Sequence, residues 1–87
     1  MGRVLTEAGA DRAVRELLAE LTLNEACLTG ASDAPLETLG MTSVVMIELV
    51  YAVEDRFSIA IADHEVAPDN FASIGSLVAL VTRKCHS

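Results

Sequence analysis

Tryptophan is absent, aromatic residues make up 3% of the chain, and Cys and Pro occur only twice each. The shortage of rings means that the core is built from Leu, Val, Ile and Ala. Cys27 and Cys85 stand far apart, with no CxxC and no second Cys-His set, and adjacent Cys85 and His86 supply too few ligands for zinc. Both read as free thiols, with Cys27 partly buried. Basic residues are scarce too: six Lys and Arg face 13 Asp and Glu, leaving a net charge of −7. That balance opposes nucleic-acid binding and favours partners carrying Lys or Arg patches. No apolar run approaches the roughly 20 residues of a membrane span, and the first residues lack the basic, apolar, small-residue order of a signal peptide. A cytoplasmic protein off the membrane is expected. Repeats and low-complexity segments are also missing.

What is present is apolar. A hydrophobic fraction of 52% over 87 residues describes a folded chain with one modest core, so residues 1–87 are read as a single domain. The longest uninterrupted helical stretch runs from Thr42 to Phe57 without Pro or Gly. At 3.6 residues per turn, Met46, Leu49, Val50, Val53 and Phe57 share one face, which is the predicted core face. Val44, Ile47, Glu48, Tyr51, Glu54 and Asp55 collect on the other. This mixture of apolar and acidic groups suits a docking surface, although scattered exposed apolar residues are also ordinary.

Upstream, Thr6 is a candidate N-cap, and Val14, Leu17, Leu18 and Leu21 recur at helical spacing; Gly9 argues for a start nearer Ala10. Residues 22–42 carry no sustained period. Within them Leu23, Leu28, Leu36 and Leu39 are spaced to plug the open end of a bundle. Asp33 and Pro35 suit the start of one short helical turn, and Gly40 suits the left-handed residue that ends it. Downstream, Ser58–Ala62 alternates like a strand but has no partner strand, so an extended loop is expected. Asp63 caps a short helix through Val66, stopped by Pro68. Ser73 caps a last helix with Ile74, Leu77, Val78 and Val81 on one stripe and Arg83 and Lys84 at its negative end. The prediction is all-α: a small antiparallel four-helix bundle with three main helices, one short third helix and a long first loop.

Ser43 stands where the second long helix begins. Position alone allows Thr42 or Ser43 to be simply a cap. A helix N-terminus also accommodates a phosphate through its free N–H groups and positive partial charge. Nucleophilic catalysis is disfavoured, because Gly40-Met41-Thr42-Ser43-Val44 lacks the G-x-S-x-G elbow and a preceding strand. His64 and His86 have no carboxylate at a motif spacing, and adjacent Glu54 and Asp55 point in different directions, so no catalytic residue and no metal site are assigned.

The series Leu39-Gly40-Met41-Thr42-Ser43-Val44, Glu48-Leu49, Val53-Glu54-Asp55-Arg56-Phe57, Ile59, Ile61-Ala62-Asp63 and Phe71-Ala72-Ser73-Ile74 resembles the acyl carrier and peptidyl carrier proteins over roughly residues 10–83. Asp33, Pro35 and Leu36 match the D-x-P-L segment that precedes the modified serine there. Two departures stand out: Thr42 replaces the usual Asp and Val44 the usual Leu. The resemblance implies that Ser43 receives 4′-phosphopantetheine from coenzyme A through a phosphopantetheinyl transferase, with Thr42 beside it. The arm would hold acyl or aminoacyl groups as thioesters. It further implies that Val44, Ile47, Glu48, Tyr51, Glu54 and Asp55 meet the transferase, an acyl- or aminoacyl-loading enzyme (ligase, adenylation enzyme or acyltransferase) and downstream synthase or tailoring enzymes. Fatty-acid members of that family usually have a more acidic second helix, so the uncharged Val45-Met46-Ile47 after the serine and a net charge of only −7 look more like the carriers of polyketide or nonribosomal peptide biosynthesis, and the resemblance implies a monomeric, stand-alone carrier. A fatty-acid carrier and a non-catalytic helical adaptor without the arm are the alternatives.

Overall fold

The computed structural model describes residues 7–85. Among them four stretches are α-helical: α1 (Glu7–Thr22), α2 (Ala26–Thr29), α3 (Ser43–Phe57) and α4 (Ile74–Cys85). Two 3-10 turns, Leu36–Leu39 and Asp63–Glu65, complete the regular structure, and no strand occurs among the described residues. The three long helices fall where apolar periodicity predicts them. Thr6, the expected cap of α1, lies outside the described residues, and α1 already runs from Glu7 through Gly9 rather than starting near Ala10.

One dry core joins these helices. Val14 and Leu18 of α1, Leu49 and Val53 of α3, and Ile74, Leu77, Leu80 and Val81 of α4 are each at most 1% exposed. α1 is the helix against which both α3 and α4 chiefly pack. Met46, Val50 and Phe57, expected beside Leu49 and Val53, are half-buried at the core's edge. Cys27 is fully enclosed rather than partly buried, with its Sγ 3.5 Å from Thr22 Oγ1. Both cysteines are free thiols, and burial pushes the Cys85 thiol up. Among the described residues no helix is long and apolar enough to cross a membrane.

The long first loop departs most from expectation. It contains α2, which the aperiodic sequence did not announce, and only two of its four leucines plug the core: Leu36 and Leu39 are buried, whereas Leu23 is 91% and Leu28 45% exposed. The reason for Leu23 is local. It takes the left-handed conformation (φ 56°) that ends α1, where Asn24 N–H donates to Ala19 O at 3.2 Å, and this turns its side chain away from the core. Nor does the turn at 36–39 start from Asp33; Pro35 occupies the cap position, because Leu36 N–H donates outward to Ala72 O at 2.9 Å.

Arg15 does most to hold this loop. Its guanidinium donates to both Asp11 carboxylate oxygens at 3.0 Å, to Gly30 O at 2.6 Å, to Cys27 O at 3.3 Å and to Ser32 Oγ at 3.2 Å. Charge-assisted bonds from a planar fork hold several acceptors at once. Gly75 N–H donates to Ser32 O at 2.8 Å, so with Arg15 the loop is tied to both α4 and α1, while Asn24 Nδ2 donates to Leu39 O at 3.1 Å and joins the two ends of the loop.

The second connection carries no regular structure over residues 59–62, as expected, but Ser58, expected to open it as extended chain, is the left-handed cap of α3 (φ 55°), where its N–H closes the helix on Glu54 O. The expected short third helix is a 3-10 turn, and Asp63 is its first residue instead of its cap. The capping group is the Glu65 carboxylate, which accepts the Ala62 N–H at 2.9 Å and the Lys84 ammonium at 2.9 Å. That N–H donor first, and Lys84 second, hold the Glu65 carboxyl below its ordinary range. Ser73 does cap α4: its Oγ accepts the Ser76 N–H at 3.2 Å.

Candidate functional site

Three residues deliver the chain into α3. Gly40 sits at φ 104°, a region that favours glycine, and lets the Met41 N–H return to Leu36 O at 3.0 Å. Thr42 is then extended (φ −131°, ψ 172°), and its Oγ1 accepts the Val45 N–H at 3.1 Å. Thr42 is therefore the N-cap. Ser43, the first helical residue, is exposed, and its hydroxyl makes no hydrogen bond among the described residues. Of the two adjacent hydroxyls, one is committed to the helix end and the other takes part in no bond of the fold.

The positive end of the α3 dipole lies at Ser43, which favours an anionic group there. A Thr42→Ala change removes the cap and is expected to cost about 1 kcal/mol of stability. Urea unfolding of the variant, compared with Ser43→Ala, checks this; Ser43→Ala is expected to stay within about 0.5 kcal/mol of the parent.

Ser43 opens onto a groove of about 770 Å³, floored by Met41, Met46 and Phe71 and edged by Asp33, Glu37 and Asp69. These six residues come from the long loop, α3 and the segment before α4, so no single stretch of sequence signals the groove. The expectation that Asp33 serves as a helix cap hid its place at this edge.

The outward face of α3 carries a row of exposed apolar side chains: Val44 is 67%, Ile47 55% and Tyr51 68% exposed. Glu48 and Asp55 are exposed beside them. Glu54 differs from these five. It is half-buried, and its Oε2 accepts the Ile61 N–H at 2.8 Å, which ties α3 to the loop that follows. A second groove of about 490 Å³ runs between Ile47, Val50 and Tyr51 of α3 and Ile61 and Val66 of that loop. Its loop wall was foreshadowed only by the alternation of Ile59 and Ile61. His64 is exposed, His86 lies outside the described residues, and no group of three or more metal-ligating side chains occurs among the described residues.

Known proteins place this geometry in a family. The family model described as phosphopantetheine attachment site matches residues 12–81. Aminoacyl carrier protein 1 of Bradyrhizobium diazoefficiens is 37% identical over 49 residues, covering 56% of this chain and 54% of that protein. The match thus spans about half the length of this curated relative. No solved structure matches the chain. With most of its length covered by the family model, the chain belongs to the phosphopantetheine attachment-site family, that of the acyl and peptidyl carrier proteins, whose members hold a 4′-phosphopantetheine group on a serine.

Proposed function

We propose that Ser43 is the attachment point of 4′-phosphopantetheine and that the chain carries aminoacyl or acyl groups between enzymes. The observation that carries this reading is the division of labour between neighbours: Thr42 caps α3, leaving the exposed Ser43 hydroxyl uncommitted at the helix's positive end. A phosphodiester fits there without displacing any bond of the fold. In the attachment step the Ser43 oxygen bonds to the pantetheine-bearing phosphorus of coenzyme A, the pyrophosphate bond to that phosphorus breaks, 3′,5′-ADP leaves, and the hydroxyl proton passes to a base of the transferase. The bound group supplies a terminal thiol that holds its cargo as a thioester. This chain contributes position rather than catalysis.

The exposed row Val44, Ile47 and Tyr51, flanked by Glu48 and Asp55, supports a docking surface for partners with apolar sockets and basic rims. Those partners are the phosphopantetheinyl transferase, a loading enzyme and downstream synthase or tailoring enzymes. Glu54 contributes to the same side as an anchor of the loop behind it. The Bradyrhizobium relative is named an aminoacyl carrier, which favours an amino acid as the cargo here; the polyketide or nonribosomal peptide setting is our reading of the uncharged start of α3 alone.

Intact-mass measurement after incubation with coenzyme A, Mg²⁺ and a promiscuous phosphopantetheinyl transferase tests the reading. The parent chain is expected to gain one phosphopantetheinyl unit and Ser43→Ala none. A folded parent that gains no mass, or a Ser43→Ala variant that still does, refutes the assignment. An adaptor without the arm would give the first of these results.

A further inference from the structure

The groove beside Ser43 has a chemical character that the attachment chemistry does not require. Its floor is apolar, formed by half-buried Met41 and Met46 and buried Phe71. Its edge is acidic, and the three exposed carboxylates Asp33, Glu37 and Asp69 have no hydrogen-bond or ion-pair partner among the described residues. No Lys, Arg or His lines it. The space of about 770 Å³ falls in the range that accepts small organic groups.

Several occupants can be compared on charge and shape. A bare divalent cation would need ligands converging on one point, and no group of three or more such side chains converges among the described residues. An acyl group ending in a carboxylate would bring a further negative charge beside three unneutralised ones. A neutral acyl group would use the floor alone. An amino acid held by its carbonyl presents both an apolar side chain and a free α-ammonium, and so matches floor and edge together.

We propose that this groove receives the aminoacyl end of the loaded arm and favours cargo bearing an α-ammonium over neutral or acidic acyl groups of the same size. The proposal rests on attachment at Ser43, which itself lines the groove. Met41, Met46 and Phe71 contact the amino-acid side chain. Asp33, Glu37 and Asp69 hold the ammonium by a spread electrostatic attraction rather than a fixed ion pair, so the interaction is sensitive to salt.

The test compares two cargoes of one shape. A promiscuous transferase loads the chain from hydrolysis-resistant amide analogues of coenzyme A bearing either a leucyl or a 4-methylpentanoyl group, which differ only in the ammonium; the phosphopantetheine amide is transferred and 3′,5′-ADP leaves. Two-dimensional NMR then follows the Met41 and Met46 methyl groups and the backbone amides of residues 33–37 and 69–73, against the chain carrying the unloaded arm. The leucyl cargo is expected to shift these signals more than twofold further than its neutral counterpart. The excess is expected to vanish in Asp33→Asn/Glu37→Gln/Asp69→Asn and in about 1 M salt, where the screening length is about 3 Å. The leucyl ammonium is expected to titrate about half a unit to one unit higher in the parent than in that triple variant, because negative neighbours favour its charged form. Equal shifts for both cargoes, or leucyl signals matching the unloaded arm, overturn the proposal while leaving the attachment reading intact. A chain that gains no mass from the transferase overturns both.

Discussion

Replacing Gly40 by Val is expected to lower the unfolding free energy by about 2–4 kcal/mol, and to slow uptake of the arm at Ser43 about tenfold even where the variant remains folded. Two effects act together. The backbone at φ 104° lies where a β-branched residue is strained, and a Cβ at this position would sit 3.3 Å from Thr22 Cβ. Thr22 cannot easily move aside, because its Oγ1 donates to Leu18 O at 2.6 Å and lies against the enclosed Cys27. Relief therefore has to come from the turn itself, and the turn is what aims Met41, Thr42 and Ser43. Gly40→Asn separates the two effects: it tolerates a positive φ but still adds the Cβ, and is expected to lose about half as much. Urea unfolding gives the stability, and timed intact-mass measurement with a promiscuous transferase gives the uptake. A fully stable Gly40→Val would show that the turn has other ways to close.

Leu49→Ala is expected to destabilise the chain by about 3 kcal/mol, within the usual span for a leucine removed from a tight core. Leu49 is fully buried, on the face of α3 that meets the shared core. A domain of 87 residues has a total stability of roughly 4–13 kcal/mol, so this single change removes a large part of it. Tyr51→Ala, two residues on and 68% exposed, is expected to change stability by less than about 0.5 kcal/mol. The pair contrasts the face of α3 that holds the fold with the face that is exposed. Equal effects at the two positions would contradict that division.

The sequence was legible where a repeating physical rule applied and opaque where geometry over long separations decided. The α3 stripe through Leu49 and Val53 follows from the helical period alone, and so does the opposite row of Val44, Ile47 and Tyr51. In residues 22–42 no period exists, so four leucines looked equivalent. Leu23 turned outward because a left-handed backbone ended α1, and Leu36 turned inward with help from a hydrogen bond to Ala72, thirty-six residues away. The reach of Arg15 to Gly30 O and Ser32 Oγ is likewise invisible in a linear reading. Glu54 looked like one more surface charge until the loop folded back and put the Ile61 N–H against it. Thr42 and Ser43 offered two hydroxyls in succession, and only the dihedral angles of Thr42 assign the cap to one and leave the other free.

That assignment has a thermodynamic consequence. Two reactions are coupled only as far as one changes the free energy of the other. The Ser43 oxygen takes part in no bond of the fold, so a phosphodiester formed there would break none; what would couple loading to folding is the phosphate charge at the positive end of α3, worth about 0.3–1 kcal/mol and the same for every cargo that does not itself touch the protein. A departure from that common shift, with one cargo raising the melting temperature further than another, would then be a direct reading of how strongly each cargo is held against the protein surface.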